Sequence, residues 1–460
     1  MSFIAKNTFL WQKLAVNLNQ IVTVDDMVHF LQEGVKILYL QFGLHTKEEN
    51  RNILDMANLA IEIFSSVTNP WKPVIGIACE LSGKGCRLKF ERYQDPIKVT
   101  TGQKLYLTSD MKYEDKAVEG IIFVTNFEAQ TAMLKIGDVL TINNIQLKVC
   151  KINGKFVQCC VNPNDNIEIP MLIHPYDRVT LTTVNGNTAL TNIDTEECLL
   201  ALCMNCHYIV IPDVDNHTII HAVDELIQSH QACDRTIRTI ARISPEVREP
   251  CVKHLIQHVA GCISVDFEIV RQCKDNCKSV LYEISDMDQL PDEETFHLID
   301  VFIIKPEIIE EFQFSLRELN QRAIRSLAEQ PLPLEQGHRA ICQCIEYACA
   351  NCKANAILLC TTTSLCEAEK LSRRKLPCPM LVTTDNEEAL YFLLLRKYCF
   401  PVCISEDMKS IRQIIKYATI YGRKFEFLKP GNFLVTGFGE HLVQGLELRY
   451  VPDDFISGEQ

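Results

Sequence analysis

Short apolar segments alternate with helical segments along two stretches of this 460-residue chain. A helix predicted over 25–34 is followed by the apolar run ILYLQ, and a second over 48–64 is followed by VIGIACE at 74–80. The same alternation resumes from about Leu181. Parallel strands return to the same edge of a sheet through helices, so this pattern predicts an α/β protein with a parallel sheet or barrel.

The pattern changes between the two stretches. From about Phe90 the segments KVTTGQKLYLTSD and VEGIIFVTN alternate apolar and polar residues, without a helical period. Turn signals such as Asn153-Gly154 recur about every ten residues, as in all-β domains. We therefore predict a small β-barrel domain over 89–172, inserted into a larger barrel domain that comprises 1–88 and 173–330.

A third part follows the linker AEQPLPLEQGH at 328–338, whose prolines and glycine end the preceding helical pattern. Beyond it, helices alternate with the apolar strands AILLCTTT, PMLVTT and FPVCIS. This order predicts a C-terminal three-layer α/β domain over 331–460.

Charge and composition restrict the partners. The formal net charge is −13, whereas nucleic acids and anionic membranes are bound by basic surfaces, so neither is an expected partner. No apolar run reaches membrane-spanning length, and the N-terminus lacks the apolar core of a signal peptide. The 22 cysteines are scattered through apolar segments, as expected for free thiols in a reducing compartment. We expect a cytoplasmic protein.

Several segments resemble pyruvate kinases, and they do so in order along the chain. LQEGVKILYLQFGLHTKEE at 31–49 resembles the family's segment after its first barrel helix, and IGDVLTINNIQLKV at 136–149 resembles a hairpin of its inserted domain. The segment 236–265 resembles the one that carries the family's catalytic lysine, and 354–405 follows the course of its C-terminal domain. The resemblance covers about 20–450 and implies a (β/α)₈ TIM barrel with the two further domains predicted above.

The resemblance also implies a reaction, phosphoryl transfer from phosphoenolpyruvate to ADP in glycolysis, with magnesium and potassium as cofactors. Arg242 stands at the position of the family's catalytic lysine, and Arg87 matches a substrate-binding arginine. Gln41 and Glu80 match ligands of the potassium site, and Glu268 matches a carboxylate of the magnesium site. These five residues are the candidate site of the barrel.

Other positions depart from the family's pattern. Tyr39 replaces a phosphate-binding arginine, and Ser244 replaces the first magnesium-binding glutamate. Of the loop that binds a sugar phosphate in some pyruvate kinases, Thr362 and Ser364 remain. Because these replacements remove charged ligands, the resemblance predicts weak activity or none.

Three functional hypotheses stay open. The first is a non-catalytic subunit or regulator of the pyruvate kinase family, which forms a homo-oligomer or a hetero-oligomer with an active pyruvate kinase. The second is an active pyruvate kinase that binds phosphoenolpyruvate and ADP at a rebuilt metal site, for which Glu80 would converge with Glu268 or Asp266. The third is a small-molecule sensor that uses the barrel mouth without turnover.

Overall fold

The structure is a computed structural model, which describes most of the chain with gaps. It describes residues 12–19, 22–83, 86–89, 97–113, 120–125, 127–131, 134–142, 145–162, 171–173, 178–181, 190–230, 237–243, 247, 249–327, 340–361, 365–374, 376–405, 407–408, 410–439 and 445–451. Among these residues no helix is both long and apolar enough to cross a membrane.

The helices and strands fall into four consecutive groups. The first is β1 (Lys13–Asn17), α1 (Val24–Gln32), β2 (Ile37–Gln41), α2 (Lys47–Thr68) and β3 (Gly76–Glu80). The second is β4 (Cys86–Lys89), β5 (Ile97–Val99), β6 (Lys104–Thr108), β7 (Ile121–Val124), α3 (Phe127–Thr131), β8 (Val139–Ile142), β9 (Ile145–Asn153), β10 (Phe156–Val161), β11 (Met171–Ile173) and β12 (Arg178–Leu181). The third is α4 (Asn192–Cys203), β13 (Tyr208–Val214), α5 (His217–His230), β14 (Arg238–Ile243), α6 (Glu249–Gln257), β15 (Gly261–Ile263), α7 (Phe267–Asp275), β16 (Ser279–Ile284), α8 (Glu293–Phe296), β17 (Val301–Ile304) and α9 (Ile309–Leu327). The fourth is α10 (Ala340–Asn351), β18 (Ala356–Thr361), α11 (Cys366–Ser372), β19 (Met380–Thr384), α12 (Glu387–Leu394), β20 (Cys399–Cys403), α13 (Ile411–Lys424), β21 (Phe433–Gly439) and β22 (Gly445–Tyr450).

The first and third groups form one closed parallel barrel, in the order β1, β17, β16, β15, β14, β13, β3, β2. The predicted (β/α)₈ barrel is therefore confirmed. Strand β1 was not recognised in the sequence, because three apolar residues between Lys13 and Asn17 are too few to show a period. It closes the barrel by pairing in parallel with both β17 and β2.

The barrel interior is filled by every second residue of its strands, as the alternation of side chains in a strand requires. The interior side chains are Ala15, Ile37, Tyr39, Ala78, Tyr208, Val210, Ile240, Ile263, Leu281, Val301 and Ile303. Continuing the alternation by one step places Glu80, Arg242 and Glu283 at the carboxyl ends of their strands, on the interior side. Polar side chains therefore converge above an apolar core.

The second group forms a compact unit of its own, Ser82–Asp194. Seven strands close into a small barrel in the order β10, β6, β7, β4, β12, β8, β9, and β11 pairs with β5 as a separate ribbon. Its apolar residues form a core within the unit, including Leu107, Ile122 and Val157. The predicted inserted β domain is therefore confirmed as an element of the fold.

The fourth group forms a five-stranded sheet in the order β20, β19, β18, β21, β22, which is parallel except for the last strand. It belongs to the same compact unit as the large barrel. Leu390 and Leu394 of α12 pack into the interior cluster of that barrel. The hydroxyl of Tyr208 donates a hydrogen bond to the carbonyl oxygen of Tyr391, at 2.7 Å. The C-terminal sheet is thus joined to the barrel's amino-terminal face.

Candidate functional site

Five polar side chains meet at the carboxyl end of the large barrel. They are Tyr39 and Gln41 of β2, Glu80 of β3, Arg242 of β14 and Glu283 of β16, which we call the mouth cluster. Active sites of (β/α)₈ barrels lie at this end, where the loops after the strands are free to vary. The sequence predicted Gln41, Glu80 and Arg242 as site residues, and the fold brings these three together.

The centre of the mouth cluster is an ion pair between Arg242 and Glu80. Nε of Arg242 donates to Oε1 of Glu80 at 2.9 Å, and Nη2 donates to Oε2 at 2.9 Å. This two-pronged arrangement is the strong form of an arginine–carboxylate pair. The Glu80 side chain is 1% exposed and that of Arg242 is 21% exposed. Since the carboxylate is shielded from water, the guanidinium is what neutralises it.

Glu80 accepts two further hydrogen bonds through Oε2. The donors are the hydroxyl of Tyr39 and Nε2 of Gln41, the latter at 2.7 Å. A carboxylate offers about four lone-pair positions. At least four protein donors therefore reach Glu80, and a metal ion would have to displace one of them.

Arg242 also binds a second carboxylate. Its Nη1 donates to Oε2 of Glu283 at 2.7 Å, and its Nη2 reaches the hydroxyl oxygen of Tyr39 at 3.0 Å. Four hydrogen bonds thus use four of the five N–H groups that a guanidinium carries. One cation stands against two carboxylates, so the three charged groups carry a net charge of −1.

The ionisation of the cluster is fixed by burial and by these contacts. Burial raises the pKa of Tyr39 well above its usual value, and the charge of Glu80 raises it further. Burial lowers the pKa of Arg242, but Glu80 and Glu283 outweigh it and hold that pKa well above its usual value. Tyr39 is therefore a neutral donor and Arg242 a permanent cation, so neither is a general base at neutral pH.

Gln41 is held on both sides. Its Oε1 accepts from Nδ2 of Asn19 at 2.5 Å, and its backbone N donates to Oδ1 of Asn19 at 3.2 Å. Its Nε2 is the donor to Glu80 described above. The side-chain oxygen that a potassium ion would need is therefore engaged within the protein.

Glu268 lies elsewhere, in the first turn of α7. Its Oε2 accepts from Nη2 of Arg271 at 2.8 Å, and its side chain is 57% exposed. Asp266 caps the same helix by accepting from the backbone N of Ile269 at 3.1 Å. The second carboxylate beside Arg242 is Glu283, which the sequence did not single out. Its position in the sequence could have identified it. Glu283 lies two residues after the interior residue Leu281, at the carboxyl end of β16, so its side chain points to the same side of the strand.

The remaining predicted residues have no described side chain. Arg87 belongs to β4 of the inserted unit, where its backbone pairs with Arg178 of β12. Ser244, Thr362 and Ser364 lie outside the described residues. The substrate-binding and effector-binding roles implied for Arg87, Thr362 and Ser364 stay predictions.

The described side chains of the mouth do not fit the magnesium ion that the resemblance implies. Magnesium requires near-octahedral oxygen ligands with converging carboxylates. Glu80 is saturated by protein donors, and Glu268 is paired at the surface. In the described part of the chain no three or more histidine, cysteine, aspartate or glutamate side chains are grouped to hold a metal.

No model of a known protein family matches the chain, and no curated protein is detectably similar to it.

Proposed function

We propose that this chain is a cytoplasmic, pyruvate-kinase-like protein whose barrel mouth does not transfer phosphoryl groups, and that it acts as a non-catalytic subunit or regulator. The family part of the proposal is supported by the ordered resemblance of segments over about 20–450. The three-part fold agrees with that resemblance, although fold alone does not imply function.

The non-catalytic part of the proposal rests on one observation. Arg242 donates its hydrogen bonds to other side chains of the protein. In the resembled family a lysine at this position meets the transferring phosphoryl group. Arginine spreads its charge over a planar fork, and here Glu80, Glu283 and Tyr39 already occupy that fork. A phosphoryl group would compete with two carboxylates for one cation.

Withdrawing Arg242 from Glu80 would also be costly. A buried charge that loses its partner typically costs about 3–5 kcal/mol. Glu80 is 1% exposed, so water does not replace the lost guanidinium without rearrangement. The ion pair therefore opposes any rearrangement of the mouth cluster that would free Arg242 to bind a substrate.

The test is pyruvate formation from phosphoenolpyruvate and ADP, with magnesium or manganese and potassium present. We expect no pyruvate above the rate without protein, while an active pyruvate kinase assayed in parallel gives turnover. Arg242→Ala and the exposed Arg271→Ala serve as a matched pair. Turnover that persists in Arg271→Ala and disappears in Arg242→Ala would overturn the non-catalytic proposal.

The subunit role has a separate test. The protein is mixed with an active pyruvate kinase, and the mixture is analysed by size-exclusion chromatography and by the rate of the active enzyme. We expect a shared elution peak and a changed rate. Independent elution with an unchanged rate would remove the partner part and leave the non-catalytic part standing.

A second candidate function is an active pyruvate kinase with a rebuilt metal site. The observation in its favour is that Glu80 and Glu283 bind the same guanidinium, so the two carboxylates face one region of the mouth. If Arg242 moved towards a substrate, they would be left to hold a divalent ion together. Turnover that Glu283→Gln abolishes would favour this function over the first.

A further inference from the structure

A cleft of about 530 Å³ lies at the opposite end of the large barrel, where the C-terminal sheet meets it. On one side are Arg238, which begins β14, Lys278, which precedes β16, and His258, which follows α6. On the other side are Phe392 of α12 and Arg396, which follows that helix. A ligand in this cleft would touch both parts of the unit.

The cleft is locally basic in an acidic protein. Three basic side chains line it, those of Arg238, Lys278 and Arg396, against one lining carboxylate, Glu369. Oε1 of Glu369 accepts from Nη2 of Arg396 at 3.3 Å and from Nη2 of Arg373 at 2.8 Å, so its single charge is shared between Arg396 and a fourth basic residue. The whole chain carries a formal charge of −13. A concave site with excess positive charge concentrates anions.

Two of the arginines have unused donors. Arg396 is 3% exposed, and its buried Nε has no hydrogen-bond partner. The buried Nε of Arg238 has none either, and no hydrogen bond joins its side chain to a described residue. Buried donors without partners cost free energy, because they have lost water and gained nothing. An oxyanion in the cleft would supply the missing acceptor.

The electrostatics of Arg238 and Lys278 agree with this. Burial lowers the pKa of Arg238 and also that of Lys278, so their charged forms are only partly compensated by the protein. Burial and the neighbouring histidines lower the pKa of His258, which is therefore neutral at pH 7. A bound anion would stabilise the charged forms of Arg238 and Lys278 and so replace the hydration that they lose on burial.

An apolar surface accompanies these charges. The guanidinium carbons of Arg238 and Arg396 lie 5.0 and 4.7 Å from the centre of the Phe392 ring. Ile237 and Val259 extend this surface. The volume falls in the range of about 300–1,000 Å³ that is usual for small-molecule sites. The lining therefore offers an apolar contact for the organic part of a ligand, beside the basic residues that would meet its acidic group.

We propose that this cleft binds a small organic anion, which carries a phosphate or carboxylate group and joins the barrel to the C-terminal sheet. The acidic group meets Arg238, Lys278 and Arg396, and the organic part lies against Phe392. Because the cleft is at the amino-terminal face of the barrel, far from the strand ends that carry chemistry, such a ligand is an effector and not a substrate. The inference is independent of the function proposed for the mouth.

A purely structural role explains part of the cleft. Nη1 of Arg396 donates to the carbonyl of Cys277 at 2.7 Å, and Nζ of Lys278 donates to that of Gln257 at 3.2 Å. Cations at helix ends commonly cap carbonyls in this way. The side chain of Arg238 caps no carbonyl among the described residues. A substitution of Arg238 therefore tests anion binding without removing a helix cap.

The experiment is isothermal titration calorimetry of the full chain with citrate and, separately, with inorganic pyrophosphate, at constant ionic strength. We expect saturable binding of at least one probe at one site per chain. Arg238→Gln should weaken that binding roughly tenfold, as expected for losing one charge-assisted hydrogen bond. Arg449→Gln removes the same charge from β22, outside the cleft, and should leave the affinity unchanged.

Each outcome of the titrations either supports or overturns the proposal. Citrate binding alone identifies a carboxylate ligand, and pyrophosphate binding alone identifies a phosphate ligand. If Arg238→Gln does not fold, as judged by circular dichroism, Lys278→Gln takes its place with the same expected weakening. No saturable binding of either probe, or equal weakening by Arg238→Gln and Arg449→Gln, would overturn the proposal.

Discussion

Arg242 of β14 and Glu80 of β3 are joined by two hydrogen bonds of 2.9 Å, although their strands are not neighbours in the barrel. Strand β13 lies between them. The guanidinium therefore spans the interior of the mouth and draws Glu283 of β16 into the same contact. The side chains to which the resemblance assigns a phosphoryl group and its metal are thus paired with one another instead.

The two carboxylates that the sequence proposed as metal ligands should differ sharply in their effect on stability. We expect Glu80→Gln to lower the free energy of unfolding by about 1.5–3 kcal/mol, because Arg242 keeps Glu283 as a partner but loses its charge-assisted hydrogen bonds to the buried Glu80 carboxylate. Glu268→Gln breaks only an exposed pair with Arg271 and should cost about 0–1 kcal/mol. Urea unfolding monitored by circular dichroism measures both values. Equal costs would show that the Glu80 pair is not structural.

Tyr39→Phe removes the hydroxyl that lies between Glu80 and Arg242 without changing the shape of the ring. We expect a loss of about 1–3 kcal/mol at pH 7, because the buried Glu80 loses a donor. The exposed Tyr106→Phe is the control and should change stability little.

The stability difference between wild type and Tyr39→Phe should also depend on pH. The pKa of Tyr39 is raised in the folded state, so above about pH 10 the unfolded chain has released a proton that the folded chain retains. The stabilisation from the neutral hydroxyl is complete below pH 10 and decreases as the pH rises above it. The stability difference between wild type and Tyr39→Phe should therefore shrink above pH 10. A difference that grows with pH would contradict a buried neutral hydroxyl.

Lys36 should destabilise the protein at neutral pH. It is 7% exposed, and burial lowers its pKa from 10.5 to about 8. Between these values the unfolded chain binds a proton that the folded chain does not, so stability rises with pH across that window. Below pH 8 the full penalty applies, which a shift of this size puts at roughly 3 kcal/mol.

Lys36→Met removes that penalty while keeping a chain of similar length. We expect it to stabilise the protein by up to roughly 3 kcal/mol at pH 7 and to lose this advantage above about pH 10. Lys47→Met breaks an exposed pair with Glu196 and serves as the control. A variant less stable than wild type at pH 7 would mean that the ammonium group of Lys36 has a stabilising partner.

Much of the fold was predictable because the signals are local. The alternation of strands and helices predicted both α/β parts, and the change of period near Phe90 predicted the insertion. Strands β1 and β22 are two of those that were missed. The first is too short to show a period, and the second, with Leu446 and Leu448 exposed, is recognisable only through its antiparallel pairing with β21.

The site was predictable in part for the same reason. Gln41, Glu80 and Arg242 end barrel strands, and strand ends in a closed barrel converge. Which carboxylate contacts the guanidinium depends on where each residue lies in its element. The alternation of side chains along β16 directs Glu283 into the barrel, whereas Glu268 lies in the first turn of a helix. The saturation of Glu80 depends on side chains from three strands and has no local signal in the sequence.

The most direct test of a mouth cluster whose charged groups are paired with one another is a manganese titration of the wild-type protein, monitored by electron paramagnetic resonance of the free ion. We expect no saturable site that depends on Glu80, because that carboxylate already accepts at least four hydrogen bonds. One bound ion per chain that is lost in both Glu80→Gln and Glu283→Gln, but kept in Glu268→Gln, would contradict it.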